Sequence, residues 1–216
     1  MIPDFSKAAT KAAECLIKHC IRVSPVSPLR ILEQLENVIV ISFADLSDLH
    51  GVSTNDIIPL FGKNRDAVSS IHTEQGRQIY VVAYNSLLPF AMVQRGLARE
   101  LGHILLQHEE SSPENSAEAA CFVHHLLCPR PLIHAIQATG IRVTVDLIAN
   151  LTGTFDQDLI AMRRLPEAIV PAGTNRFLRG QFMPFIINFF EFYQTVMPND
   201  GSAIADFGSY MDGYIE

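Results

Sequence analysis

Residues 89 to 107 read Pro-Phe-Ala-Met-Val-Gln-Arg-Gly-Leu-Ala-Arg-Glu-Leu-Gly-His-Ile-Leu-Leu-Gln, and the fold turns on how this stretch is read. Pro89 suits the opening turn of a helix, where its missing N–H would have no partner anyway. Leu97, Leu101, Ile104, Leu105 and His108 fall at i, i+4, i+7, i+8 and i+11, so they form one face able to pack on a core. Arg99, His103 and Gln107 make a second stripe at i, i+4 and i+8, with Glu100 beside it. One helix therefore carries two chemistries. Gly102 costs such a helix roughly 1 kcal/mol relative to Ala, so a close approach by a neighbouring backbone is expected to compensate.

Working outward, the pattern on either side of this helix is of an α+β chain. Asp4 or Ser6 can cap a first helix, with Ala9, Ala12, Ala13, Leu16 and Ile17 in helical spacing to about Ile21. Ser24-Pro25-Val26-Ser27-Pro28 breaks it, and a short helix from Pro28 to about Leu35 follows. Residues 37–43 are a β-branched run that predicts a buried strand. Residues 44–66 read as a polar loop, and 67–73 with 78–84 read as the arms of a hairpin around residues 74–77. This predicts a small, mainly antiparallel sheet of about three strands packed on helices. Downstream the pattern is helical throughout. Ser112-Pro113 starts one helix, ended by Cys128-Pro129-Arg130-Pro131, and others are expected at 131–139, 144–151 and 154–165. The expected division is 1–140 for the α+β domain and 141–216 for a helical C-terminal extension.

Composition narrows the function classes. A chain of 216 residues with 48% apolar and 18% charged residues can bury a sizeable core and is too apolar for disorder. A formal charge of -7, with no basic residue after Arg179, argues against a phosphate-binding surface. The 144–165 pair could be read as a DNA-binding helix-turn-helix, but its second helix would open with Asp156 and Asp158 toward the groove. The N-terminus lacks the basic-then-apolar order of a signal peptide. The most apolar stretch, 182–193, is about half the length that spans a bilayer. A cytoplasmic protein with neither nucleic acid nor membrane as direct partner is expected. Phe182, Phe185, Ile186, Phe189, Phe190 and Tyr193 make a stripe that suits a core better than a partner surface. The cysteines at 15, 20, 121 and 128 match no zinc-knuckle spacing and read as small buried hydrophobes.

Residues 99–103, Arg-Glu-Leu-Gly-His, differ at one position from the His-Glu-x-x-His pattern of a zinc-peptidase helix. In that helix two histidines one turn apart reach one metal, and the glutamate takes a proton from the metal-bound water. Tyr84-Asn85, Leu88-Pro89 and Leu97 to Leu106 together resemble the ImmA/IrrE family of metallopeptidases, as do Glu118-Ala-Ala-Cys-Phe122 and Leu126-Leu-Cys-Pro129. The resemblance runs over residues 80–131, is weaker on either side, and does not reach residues 166–216. It implies a zincin-like fold and endoproteolysis of helix-turn-helix repressors in phage or mobile-element regulation. It also implies Glu100 as general base and His103 and Glu118 as zinc ligands, with the first ligand at position 99.

Arg99 stands at that position. A zinc peptidase needs three protein ligands, and only His103 and Glu118 remain. A guanidinium about 4 Å from Zn²⁺ would be repelled by roughly 8 kcal/mol at an effective dielectric of 20. His108 and His125 read as lying off the site, on the far side of the first helix and about 10 Å along the second; His72 and His124 stay open as replacements. Because Glu118 sits among apolar neighbours and needs a cation, Arg99 is expected to pair with it. Two readings follow: a protein-binding regulator with lost or impaired zinc binding, or an active endopeptidase with a rebuilt metal site. A third class is an oligomerisation module built on the C-terminal 50 residues.

Overall fold

The computed structural model describes residues 2–61, 66–110, 112–155 and 168–196, among which three strands and a larger set of helices form. Helix α1 (Phe5–Lys18) starts where Asp4 Oδ1 accepts the Lys7 N–H at 2.8 Å. Helix α2 (Pro28–Glu33) is capped by Ser27, and β1 (Val38–Ser42) follows. The expected loop at 44–66 is not what forms: α3 (Phe43–His50) and α4 (Thr54–Phe61) occupy most of it. Ser42 ends the strand and caps α3, its hydroxyl accepting the Asp45 N–H at 3.0 Å, and Gly51 closes α3 at φ 63°. Phe43 and Ile57 are buried with Ala83, and Phe61 stacks on Phe43 at 5.1 Å. A few large apolar anchors outweigh the polar residues between them.

Strand β2 (Ala67–Glu74) turns through Gln75 and Gly76, both at positive φ, into β3 (Arg77–Tyr84). That two-residue turn matches the twist of the hairpin, which forms as its pattern predicts. The sheet has order β1-β3-β2 and is mixed. The longer pairing, β2 with β3, is antiparallel from Ala67↔Tyr84 to Glu74↔Arg77, and β1 runs parallel to β3 from Val38↔Tyr80 to Ser42↔Tyr84. Among the described residues β2 has a strand on one side only.

Helix α5 (Phe90–Leu106) packs against α2, β2 and β3 and buries Leu97, Leu101 and Ile104, as its periodicity predicts. It ends one residue before Gln107, which takes a left-handed conformation at φ 59°. Helix α6 (Pro113–Leu127) is capped by Ser112, whose hydroxyl accepts the Asn115 N–H. Phe122 of α6 is what fills the space at Gly102: a Cβ there would stand 3.0 Å from the Phe122 ring. The close approach is thus made by a side chain, not by a backbone. Residues up to Ala8 together with Ser27–Val123 form one compact unit.

The second unit takes Ala9–Val26 and the chain from His124 onward, so the expected boundary at residue 140 falls inside it. It contains α7 (Arg130–Ala138), α8 (Val145–Thr152) between Thr144 and Gly153 caps, and α9 (Ala172–Val196). Phe182, Phe185, Ile186 and Phe189 of α9 are buried, which bears out their reading as core. Burial of each such side chain contributes about 2–3 kcal/mol. Gln181 anchors the helix polar side, donating from Nε2 to the Leu16 and Ile21 carbonyls at 2.9 and 2.6 Å. The helix expected at 154–165 lies mostly outside the described residues. Among the described residues no helix is long and apolar enough to cross a membrane.

Candidate functional site

Arg99, Glu100 and His103 come together along a cleft of about 650 Å³ in the first unit, which β2 also lines with Ser69 and Ile71. The helix can lie this close to β2 because residue 96 is glycine. A Cβ at Gly96 would stand 2.9 Å from the Asp66 Cβ and 3.1 Å from the Ala67 backbone nitrogen. Asp66 is buried, and its carboxylate takes two arginines from successive turns of α5. Arg95 Nη2 is 3.3 Å from Oδ2, and Arg99 Nη2 is 3.4 Å from Oδ1. Arg99 also donates to the Ala67 carbonyl at 2.9 Å and, from Nε and Nη2, to Glu100 Oε1 at 3.1 Å each. Ser69 Oγ donates to Glu100 Oε2 at 2.6 Å. Glu100 is buried with both oxygens engaged. A carboxylate held this way is charge-paired, with the Arg99 guanidinium as its counter-ion.

One turn further along α5, His103 belongs to a second set. The left-handed Gln107 reverses the chain so that His108 returns over the helix end instead of continuing its far side. His108 Nε2 lies 3.1 Å from Glu118 Oε2, and its Nδ1 lies 2.9 Å from His103 Nδ1. With Glu118 ionised and both rings neutral, His108 Nε2–H donates to Glu118 and His103 Nδ1–H donates to His108. The Asp4 backbone N–H completes Glu118, donating to Oε1 at 2.8 Å. Two expectations are corrected here. Glu118 is satisfied by His108 and the Asp4 backbone, and Arg99 takes Asp66 and Glu100 as its carboxylates. His108 joins the site because the helix stops short of it.

Burial lowers the His103 pKa, opposed by Glu100 and assisted by His108 and Arg99, so the ring favours its neutral form. The donor set does not fit the zinc that the resemblance implies. The position of the first ligand holds a guanidinium tied to two carboxylates. His103 Nδ1 and both Glu118 oxygens are committed to other partners. Among the described residues no three His, Cys, Asp or Glu side chains are gathered so as to hold an ion. No family model, curated protein or solved structure matches this chain.

Asp66, Ser69, Asp4 and His108 are the site residues that sequence reasoning did not single out. Asp4 carried a helix-cap signal, which is real and uses its side chain while its backbone serves Glu118. For His108 the available signal was the polar run from Gln107 to Ser112, which marks a helix end before that residue. Of the other histidines, His72 is exposed on β2 and shares a hydrogen bond with Ser70, and His124 belongs to the second unit.

Proposed function

We propose that this chain is an ImmA/IrrE-like, zincin-type domain that binds a regulatory protein in its α5 cleft without hydrolysing it. The observation that carries the reading is the state of Glu100, whose two oxygens are held by Arg99 and Ser69. In the catalytic version of this helix that carboxylate faces a metal-bound water; here it neutralises the residue at the first ligand position. The cleft runs alongside β2, whose outer edge, unpaired among the described residues, can add an extended segment through backbone hydrogen bonds. The resemblance supplies the partner class, a helix-turn-helix repressor of phage or mobile-element control in the cytoplasm, with zinc weakly held or absent. Challenged with such repressors, the purified chain should retain one on a column and leave its mass unchanged. Time-dependent cleavage suppressed by a chelator would overturn the proposal in favour of an active endopeptidase with a rebuilt metal site.

A further inference from the structure

Helix α9 has a second face that the core does not use. Its buried residues, Leu178, Phe182, Phe185, Ile186 and Phe189, gather on one side. At about 100° per residue, Phe177, Gly180, Pro184 and Ile187 gather on the opposite side, in i, i+3, i+7, i+10 spacing. Phe177 is 59% exposed and Ile187 49%, and the flanking Met183 is exposed as well. Among the described residues no atom lies within 4 Å of where a Cβ on Gly180 would stand. The stripe is therefore apolar, open, and indented at its middle, where another helix backbone could come close.

Its charges run from one end to the other. Arg176 and Arg179 are exposed toward the start of the stripe, and Glu191 is exposed on the same line near its end. Neither Arg176 nor Glu191 is in an ion pair among the described residues. A partner that complements this face must be basic where α9 is acidic and the reverse, with an apolar centre between. An antiparallel copy of α9 has that pattern. Setting Gly180 opposite Pro184 of the copy places Phe177 opposite Ile187 on both sides of the two-fold axis. Arg176 then lies within about 4.5 Å along the axis of the copy's Glu191, inside the reach of an arginine.

We infer that the outer face of α9 is a self-association surface, pairing two copies of this chain antiparallel through Phe177, Gly180, Pro184 and Ile187, with Arg176 facing Glu191 at each end. A single helix pair is a small interface, so the affinity belongs on the order of micromolar. The inference is independent of the α5 cleft and of whether that cleft binds a repressor.

Sedimentation velocity on the full chain from about 1 to 200 µM reads the equilibrium directly. The wild type should pass from monomer to dimer within that range. Ile187→Asp should remain monomeric with an unchanged circular-dichroism melt, since Ile187 is outside the core. Two-fold symmetry makes each charge substitution act twice, so Arg176→Glu and Glu191→Arg should each weaken the dimer by about tenfold. The double variant should return to within about threefold of wild type, which a merely structural effect of either substitution would not produce. A chain monomeric throughout, a dimer indifferent to Ile187→Asp, or a double variant no better than its singles would overturn the assignment. Co-pelleting of a monomeric chain with anionic vesicles, lost in Ile187→Asp, would assign the stripe to a lipid surface instead.

Discussion

His103 with His108 and His124 with His125 are two ring pairs of nearly the same shape. Their centroids are 5.1 Å apart in both, with planes inclined at 69° and 67°. Their chemistry differs. The first pair is hydrogen-bonded ring to ring and ends on the Glu118 carboxylate. The second sits at the end of α6 in the other unit, where His124 Nδ1 is buried without a hydrogen-bond partner among the described residues. Burial lowers both rings of the second pair to about 4, helped by Arg130. Ring geometry alone does not define a site; what the ring nitrogens meet does. The first pair is part of a polar arrangement beside a cleft, and the second behaves as core that happens to be imidazole.

The sharpest way to separate the pairs is acid. A histidine whose folded pKa lies below its ordinary value of 6.5 favours its neutral form in the folded chain. Its contribution to stability is then complete above pH 6.5 and is lost as pH falls toward 4. With His124 and His125 both at about 4, each ring can contribute up to about 3 kcal/mol to that loss. Urea unfolding at pH 7 and pH 4.5 should show the drop, and the double variant His124→Leu with His125→Leu should remove most of it. An unchanged pH slope in the double variant would show that these rings are not the source.

Removing a partner should separate the pairs in the opposite sense at neutral pH. His108→Leu leaves Glu118 Oε2 and His103 Nδ1 without their bonds in a largely buried setting, at about 2–3 kcal/mol of stability. A smaller and favourable change is expected for His124→Leu, which deletes a buried nitrogen that has no bond to lose, worth up to about 1 kcal/mol. Denaturation midpoints that moved equally for the two variants would erase the distinction drawn between the pairs.

Much of the fold was readable from residue pattern because the signals were local. The hairpin has its glycine turn, α6 its Ser-Pro start, and the buried stripe of α9 its helical period. The loop expected at 44–66 failed because its helices depend on tertiary burial of Phe43 and Ile57, which outweighs a polar local composition. In the site, the composition of α5 located Arg99, Glu100 and His103 together on the cleft. Pairing was the part that could not be read. Asp66 reaches Arg99 only because β2 begins against Gly96, and His108 reaches Glu118 only because Gln107 adopts a left-handed turn that glutamine rarely takes. A helix extrapolated one turn too far puts His108 on the wrong side.

Arg99 pairs with Glu100 and Asp66, and the proposed function requires that it stand where a zinc peptidase has its first ligand. Competition against a chromophoric zinc chelator tests this most directly, run on the purified wild type and on Arg99→His. Weak zinc binding is expected for the wild type, and at least about a hundredfold gain in Arg99→His, which restores a nitrogen donor and removes a half-buried cation from the site. Stoichiometric, tightly held zinc in the wild type, unaffected by the substitution, would contradict it.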